Sequence, residues 1–340
     1  MADKQGKYFV SAQQVANLAG VSRSAVSRTF TEGASVSKAT RDKVMAAANE
    51  LGYHVNHLAR GLIRENSNIV CIVAADMATP YQSKFIEMLT ACLQAARKVV
   101  MIVNASGESG VNAALRQTLY YRADASVVLS GQPEQSLIET CVKSGQRVIV
   151  ANRDQTVDGT ENLVVSNRAC ARDAFHMLHR VGCQSVAVVT SEIGTPSLMA
   201  REEAFVAEAA AHGVEVTVTR SGSTSYQSGA EIARRLYSSA QRPDGAFCIT
   251  DLLACGFMDV ARNDFGISIP DELCVVGFDD IEQAGWSSYN LTTFRQPLDE
   301  ITDHIVALID QDEEAEGGVT EVTPTRFIAH PVWRGSVRPR

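Results

Sequence analysis

Arg23, Ser24 and Arg28 lie close together in the segment VSAQQVANLAGVSRSAVSRTF at residues 10–30. The planar fork of arginine is shaped to grip guanine O6 and N7 together, and a serine hydroxyl can donate to or accept from a base edge. These residue types point to base reading in the major groove, provided a helix carries them there. The flanking residues predict that helix. Ser11 is a good N-cap for a first helix that places Val15, Leu18 and Ala19 on one face, and Ser22 can cap a second. Gly20 between them can take the positive φ of a sharp turn. Ala16 is the small residue where two closely crossing helices meet, and Val26 faces inward to close the core. This spacing is that of a helix-turn-helix, although a plain three-helix mini-domain would share it. A third helix, capped by Ser37, is predicted over 38–51 and is stopped by Gly52.

The charge distribution agrees with a DNA-binding head. Residues 1–64 hold nine Lys/Arg against four Asp/Glu, or +5, so a chain of net charge −8 leaves about −13 for the remainder. Only the head is suited to a polyanion. Beyond it, Asn56 can cap a short helix with Leu58, Ala59 and Leu62 on one face. A helix this short is marginal in water, and Gly61 weakens it by about 1 kcal/mol relative to alanine. Such a segment needs a partner, and DNA with the twin segment of a second subunit would serve, a leucine wedging into the minor groove. An ordinary flexible linker is the alternative.

From residue 68 onward the pattern alternates. NIVCIVAA, KVVMIVNA, ASVVLSG and RVIVAN read as buried strands, separated by helical stretches such as 82–97 and 111–122. A second series contains SVAVVTS, VEVTVTRS, GAFCIT and ELCVVGFDD. Strand–helix alternation predicts parallel sheets covered on both faces. Two series imply two lobes, with a small-molecule site between the carboxyl ends of their strands.

The run from residue 10 to 62 resembles the headpiece of the LacI/GalR family of ligand-responsive bacterial repressors. The matching motifs are VAxxAGVSxxxVSR, VSxxTRxKVxxAxxELxY and Asn56…Ala59…Leu62. One departure is Val55, where the family usually has proline. The resemblance implies phosphate contacts near Ser11, Ser37 and Thr40, and hinge helices that pair in a dimer and open the minor groove with Leu62. It extends to about residue 338 through VGFDD at 276–280 and LTTFRQP at 291–297, and so implies a core like a periplasmic sugar-binding protein. The expected fold is therefore α + α/β: a helix-turn-helix headpiece (1–55), a hinge helix and linker (56–67), and a two-lobed core (68–340) with two doubly wound parallel sheets. The N-lobe would hold about 68–165 and 297–324, and the C-lobe about 166–296 and 325–340, with crossovers near Val165, at 291–297 and near Thr325. Matched residue by residue, the family implies effector contacts from Arg201 (in Arg-Glu-Glu-Ala-Phe), Asp279, Asp251, Tyr81, Gln82, Asn152 and Gln296. Asn152 replaces an acid common there. Thr224 stands where many relatives place an aromatic ring, so Trp286 is expected to supply a stacking face.

The function expected is a transcriptional repressor of operator double-stranded DNA with a pseudo-palindromic site, controlled by a sugar or sugar derivative. An activator or dual regulator would have the same architecture, and a solute-binding protein would match the core alone. The chain has no cofactor motif: G-x-G-x-x-G after the first strand, a phosphate loop, G-x-S-x-G and H-E-x-x-H are missing, which argues against an enzyme. The seven histidines show no metal-ligand spacing, and the eight cysteines form no Cys-x-x-Cys pair and read as reduced core residues. No apolar run is long enough for a membrane span, and the polar amino terminus has no secretory core, so a cytoplasmic location is expected. The chain ends without a leucine heptad, so a homodimer is expected, joined through the helix at 82–97, whose Phe85, Met88, Leu89, Cys92 and Leu93 exceed what one sheet needs.

Overall fold

The computed structural model describes residues 10–31, 33–54, 67–107, 110–151, 158–239, 242–311 and 323–339. The expected hinge residues Asn56 and Leu62, and Asn152, lie outside the described residues. The chain divides into two units, Met1–Ser67 and Asn68–Arg340.

The first unit contains α1 (Ala12–Ala19), α2 (Arg23–Thr29) and α3 (Lys38–Leu51). Each start is held by a serine. Ser11 Oγ accepts from the Gln14 amide while Gln14 Oε1 accepts from the Ser11 amide, a reciprocal capping box. Ser22 accepts from the Ala25 amide and Ser37 from the Thr40 amide. Gly20 takes the left-handed conformation, φ 64°, that ends α1 and sets the turn. Val15, Ala16, Val26, Val44, Ala47 and Ala48 form the core. Leu18, expected inside, is 48% exposed. On so short a helix the buried stripe runs through Val15 and Ala16, and Leu18 falls on its flank.

The second unit is two-lobed. In chain order its strands are β1 (Ile69–Ala74), β2 (Val99–Asn104), β3 (Ala125–Val128), β4 (Arg147–Ala151), β5 (Glu161–Val165), β6 (Val186–Thr190), β7 (Val216–Arg220), β8 (Gly245–Cys248), β9 (Cys274–Val276), β10 (Thr293–Arg295), β11 (Thr325–Phe327) and β12 (His330–Val332). Its helices are α4 (Pro80–Ala95), α5 (Gly110–Tyr120), α6 (Gln135–Lys143), α7 (Asn167–Arg180), α8 (Pro196–Ala211), α9 (Tyr226–Tyr237), α10 (Asp251–Asn263) and α11 (Leu298–Asp310). The first lobe is a parallel sheet in the order β2-β1-β3-β4-β5-β11, and the second is β7-β6-β8-β9, also parallel. Both orders reverse beside the first strand of the lobe, which opens a crevice at the carboxyl ends.

Two expectations need correction. KVVMIVNA was expected to be buried, but β2 is the edge of its sheet, and Val99 and Ile102 are 52% and 47% exposed. Residues 325–340 were expected in the C-lobe, yet Thr325–Phe327 pairs with Leu163–Val165 in the first sheet. The chain therefore passes between the lobes just after Phe327 and enters β12, which pairs antiparallel with β10. Ser166 fastens this point: its amide donates to the Phe327 carbonyl at 2.9 Å, and its Oγ accepts from the Ala329 amide at 3.0 Å. All eight cysteines are free thiols, seven of them buried. Among the described residues, no helix is long and apolar enough to cross a membrane.

Candidate functional site

In the first unit, Arg23, Ser24 and Arg28 are all exposed on α2, while Val26 and Thr29 of the same helix face the core. The helix thus turns a polar face outward because its opposite face is anchored. Arg28 Nε lies 3.4 Å from the Ser24 carbonyl, which lays the guanidinium along the helix. Ser11 and Ser37 sit at the N-termini of α1 and α3, where free backbone N–H groups and the helix dipole favour an anion. Thr40 Oγ1 is 2.8 Å from Ser37 Oγ, so these two hydroxyls belong to one cap.

In the second unit, the crevice between the lobes holds two adjoining chambers of about 470 Å³ and 370 Å³. Tyr81, Gln82, Ser130, Thr250 and Asp279 line both. Each comes from just beyond a strand end or from the first turn of the following helix. Pro80 starts α4, its missing N–H costing nothing at that position, and so aims Tyr81 and Gln82 at the crevice.

A polar chain runs across the site. Tyr81 O–H donates to Gln296 Oε1 at 2.9 Å, and Gln296 Nε2 donates to Asp279 Oδ1 at 2.8 Å. Arg201 Nη1 stands 3.7 Å from the same carboxylate oxygen. The guanidinium is only 2% exposed. It donates from Nε to Asn167 Oδ1 and from Nη1 to the Ile249 carbonyl, both at 2.8 Å, and lies 3.5 Å from the centroid of Phe278. A desolvated cation this well fixed is stabilised by neighbours from three segments. Burial pushes the Asp279 carboxyl up to about 6, against the pull of Arg201 and the Gln296 hydrogen bond. Burial, with help from the Asp279 charge, also holds the Tyr81 hydroxyl well above its usual range. Asp279 has φ 116° and Asp280 φ 51°. Such backbone is strained for residues with a Cβ and is typical of functional positions. Asp280 holds the bend by accepting from Arg295 Nε and Arg334 Nη2, each at 2.6 Å.

The expected residues are only partly brought together. Tyr81, Gln82, Arg201 and Asp279 line the chambers, and Gln296 joins them from the crossover. Asp251 does not. It is fully buried at the start of α10, with Oδ1 accepting from Thr293 Oγ1 at 2.6 Å and Oδ2 from the Ile281 amide at 3.0 Å. Its carboxylate ties β10 and the strand-end loop to α10, and Gly277 makes room for it: a Cβ there would stand 2.1 Å from Asp251 Oδ1. Trp286 is also absent from the walls, being 48% exposed at the end of a short 3₁₀ turn, Glu282–Gly285. Thr224 lines one chamber, with its Oγ1 3.0 Å from Ser191 Oγ.

Sequence reasoning missed Asn167, whose amide fixes Arg201 from 34 residues away. It also missed Thr250, whose buried Oγ1 has no hydrogen-bond partner among the described residues and which lines both chambers. Polar residues at two further strand ends were the only available signal.

Each of the two units matches known proteins. Residues 12–56 match the model of bacterial regulatory proteins of the lacI family, and residues 175–337 match that of the periplasmic binding protein-like domain. The chain is 27% identical over 293 residues to the ribose operon repressor of Escherichia coli K12, covering 85% of this chain and 88% of that one. It is 24% identical over 317 residues to the transcriptional repressor CytR of the same organism, covering 92% of each. Among solved structures, the lac repressor dimer bound to operator and the anti-inducer ONPF superposes with TM-score 0.85 at 22% identity, covering 97% of this chain and 99% of that one. A lacI-family regulator from Enterococcus faecium with bound ribose superposes with TM-score 0.71 at 22% identity, covering 80% and 99%. Helix-turn-helix head, two-lobed core and relatives agree: the chain joins a DNA-binding domain of the lacI-family type to a periplasmic binding protein-like domain, and is similar over most of its length to bacterial transcriptional repressors.

Proposed function

We propose that this regulator is a cytoplasmic homodimeric repressor that releases or grips a pseudo-palindromic operator according to a five- or six-carbon sugar, or a derivative, held between its lobes. The observation that carries this reading is the polar chain Tyr81–Gln296–Asp279–Arg201, which joins residues of both lobes through a crossover beside the two chambers. A polyhydroxylated ligand offers donors to Asp279 and acceptors to Arg201, and its insertion exchanges bonds within this chain for bonds to itself. Differential affinity for two lobe arrangements is then what shifts operator binding, and the coupling is reciprocal. The ribose repressor and the ribose-bound regulator among its relatives support a sugar of this size.

In the head, Arg23, Ser24 and Arg28 read bases, Ser11, Ser37 and Thr40 meet phosphates, and Asn56 and Leu62 serve the hinge. The dimer forms through the first lobe. Phe85, Leu89 and Leu93 of α4 are consumed within the protomer, and Cys92 approaches Thr302 of α11. The exposed apolar Val99 and Ile102 on the free edge of β2 are the better-placed contacts.

The test is a thermal-shift screen of pentoses, hexoses, sugar acids and nucleosides. It is followed by fluorescence anisotropy on an operator selected from random DNA, with and without the stabilising compound. A true ligand raises stability by RT ln(1 + [L]/Kd) and changes operator affinity. Stabilisation by a sugar with no change in DNA binding would overturn the regulatory reading, and no stabilisation by any sugar would overturn the ligand class.

A further inference from the structure

Three of the histidines scattered in the sequence, His176, His179 and His212, meet in space. His176 of α7, Glu208 of α8 and His212, the C-cap of α8, place their ligand atoms all within 4.8 Å of one another. His176 Nε2 lies 3.1 Å from Glu208 Oε1, and His212 Nδ1 lies 3.7 Å from the same oxygen. Two donors bound to one tetrahedral zinc ion at about 2.1 Å each stand about 3.4 Å apart. The two observed separations bracket that distance. We propose that His176, Glu208 and His212 form a binding site for a divalent transition-metal ion, Zn²⁺ foremost, on the second lobe and separate from the effector crevice.

The donor chemistry selects the ion class. Two imidazole nitrogens and one carboxylate oxygen suit zinc and its neighbours rather than magnesium or calcium, which take oxygen ligands. Three protein donors leave the fourth tetrahedral position to water. Glu208 and His212 are four residues apart and so share one helix face, and His176 meets them from the adjacent helix. The rings are held in place before any ion arrives. Buried Phe175 packs against His176, His179 and His212 at centroid distances of 5.5, 5.3 and 5.2 Å, and His176 meets His212 edge-on at 84°. All three ligands are reachable, their side chains being 30%, 20% and 38% exposed. His212 Nδ1 also lies 2.9 Å from the Glu208 carbonyl. Coordination exchanges that hydrogen bond for a metal bond, with the imidazole proton moved to Nε2 and none released from a neutral ring.

An ordinary interhelical ion pair needs one imidazole, whereas two converge here on one carboxylate. The ion would also clasp α7 to α8, the helices that carry Asn167 and Arg201 nearer their amino ends.

The experiment uses untagged full-length protein stripped with chelator and titrated with Zn²⁺ by calorimetry and with Co²⁺ by visible absorption. One ion per chain is expected, with the d–d absorption of tetrahedral N/O-ligated Co²⁺ and loss of both signals in His176→Ala and His212→Ala. Glu208→Gln should weaken binding. Diethyl pyrocarbonate footprinting of the unmodified sequence provides a reading that needs no substitution: Zn²⁺ should shield His176 and His212. Absence of saturable binding, equal binding by the His176→Ala/His212→Ala variant, or a sulfur-to-cobalt charge-transfer band that places the ion on cysteine would each overturn the proposal.

Discussion

Replacing Asp251 by asparagine should make the core more stable at pH 8 and leave it almost unchanged near pH 4. Burial first, and then the nearby Asp279 charge, push the Asp251 carboxyl up to about 8, well above its ordinary 3.8. An acid with a raised folded pKa contributes stability that is fully present below the unfolded value and is lost as pH rises through the folded one. For Asp251 this window runs from about pH 4 to about pH 8, with a slope of at most about 1.4 kcal/mol per pH unit. Asparagine copies the neutral acid. Its carbonyl oxygen can accept from the Ile281 amide while its NH₂ donates to Thr293 Oγ1, so both contacts survive. The variant should therefore gain on the wild type throughout the window, by roughly several kcal/mol at its upper end. Thermal unfolding followed by tryptophan fluorescence from pH 5 to 8.5 measures this in the relevant lobe, because the chain's only tryptophans, Trp286 and Trp333, both belong to it. An advantage in Tm that grows by about 2–4 °C per pH unit is expected. Parallel Tm curves, or a variant less stable than wild type at pH 8, would refute the reasoning. Sugar binding by Asp251→Asn should stay near wild type, since neither carboxylate oxygen reaches the chambers.

Three further outcomes are expected. Arg201→Lys keeps the charge but not the fork that serves Asn167 and Ile249 together, so calorimetry with a stabilising sugar should show binding lost or weakened at least about tenfold, equivalent to one charge-assisted hydrogen bond. Operator recognition without sugar should persist if the sugar is an inducer. Gly277→Ala would set a Cβ 2.1 Å from Asp251 Oδ1 and 2.8 Å from Leu291 Cδ2, and should lower core stability by about 1–3 kcal/mol or more in urea titrations. Arg28→Ala should cost about 1–3 kcal/mol on the selected operator and relax one base position per half-site; equal weakening on random DNA would make Arg28 a phosphate contact.

Features decided within a few residues were legible in the sequence. The caps at Ser11, Ser22 and Ser37, the left-handed Gly20 and the alternation of eight of the strands follow from bonds and periodicities that close over three or four positions. The exposed polar face of α2 was legible for the same reason, because Val26 fixes which side is buried. Sheet order was not, and with it went the exposure of Val99 and Ile102 and the place of β11 beside β5, since a strand's neighbours are set by contacts far away in the chain. The division of labour between two strand-end acids was equally hidden. Asp279 faces the crevice because φ 116° turns it there, whereas Asp251 turns inward to Thr293 and the Ile281 amide, partners that only the folded chain supplies. Arg201 depends on Asn167 in a separate helix, and His176 meets Glu208 and His212 only where α7 packs on α8. Local bonding determines the elements and their caps; which polar groups share a buried partner is decided when distant segments exclude water from the same place.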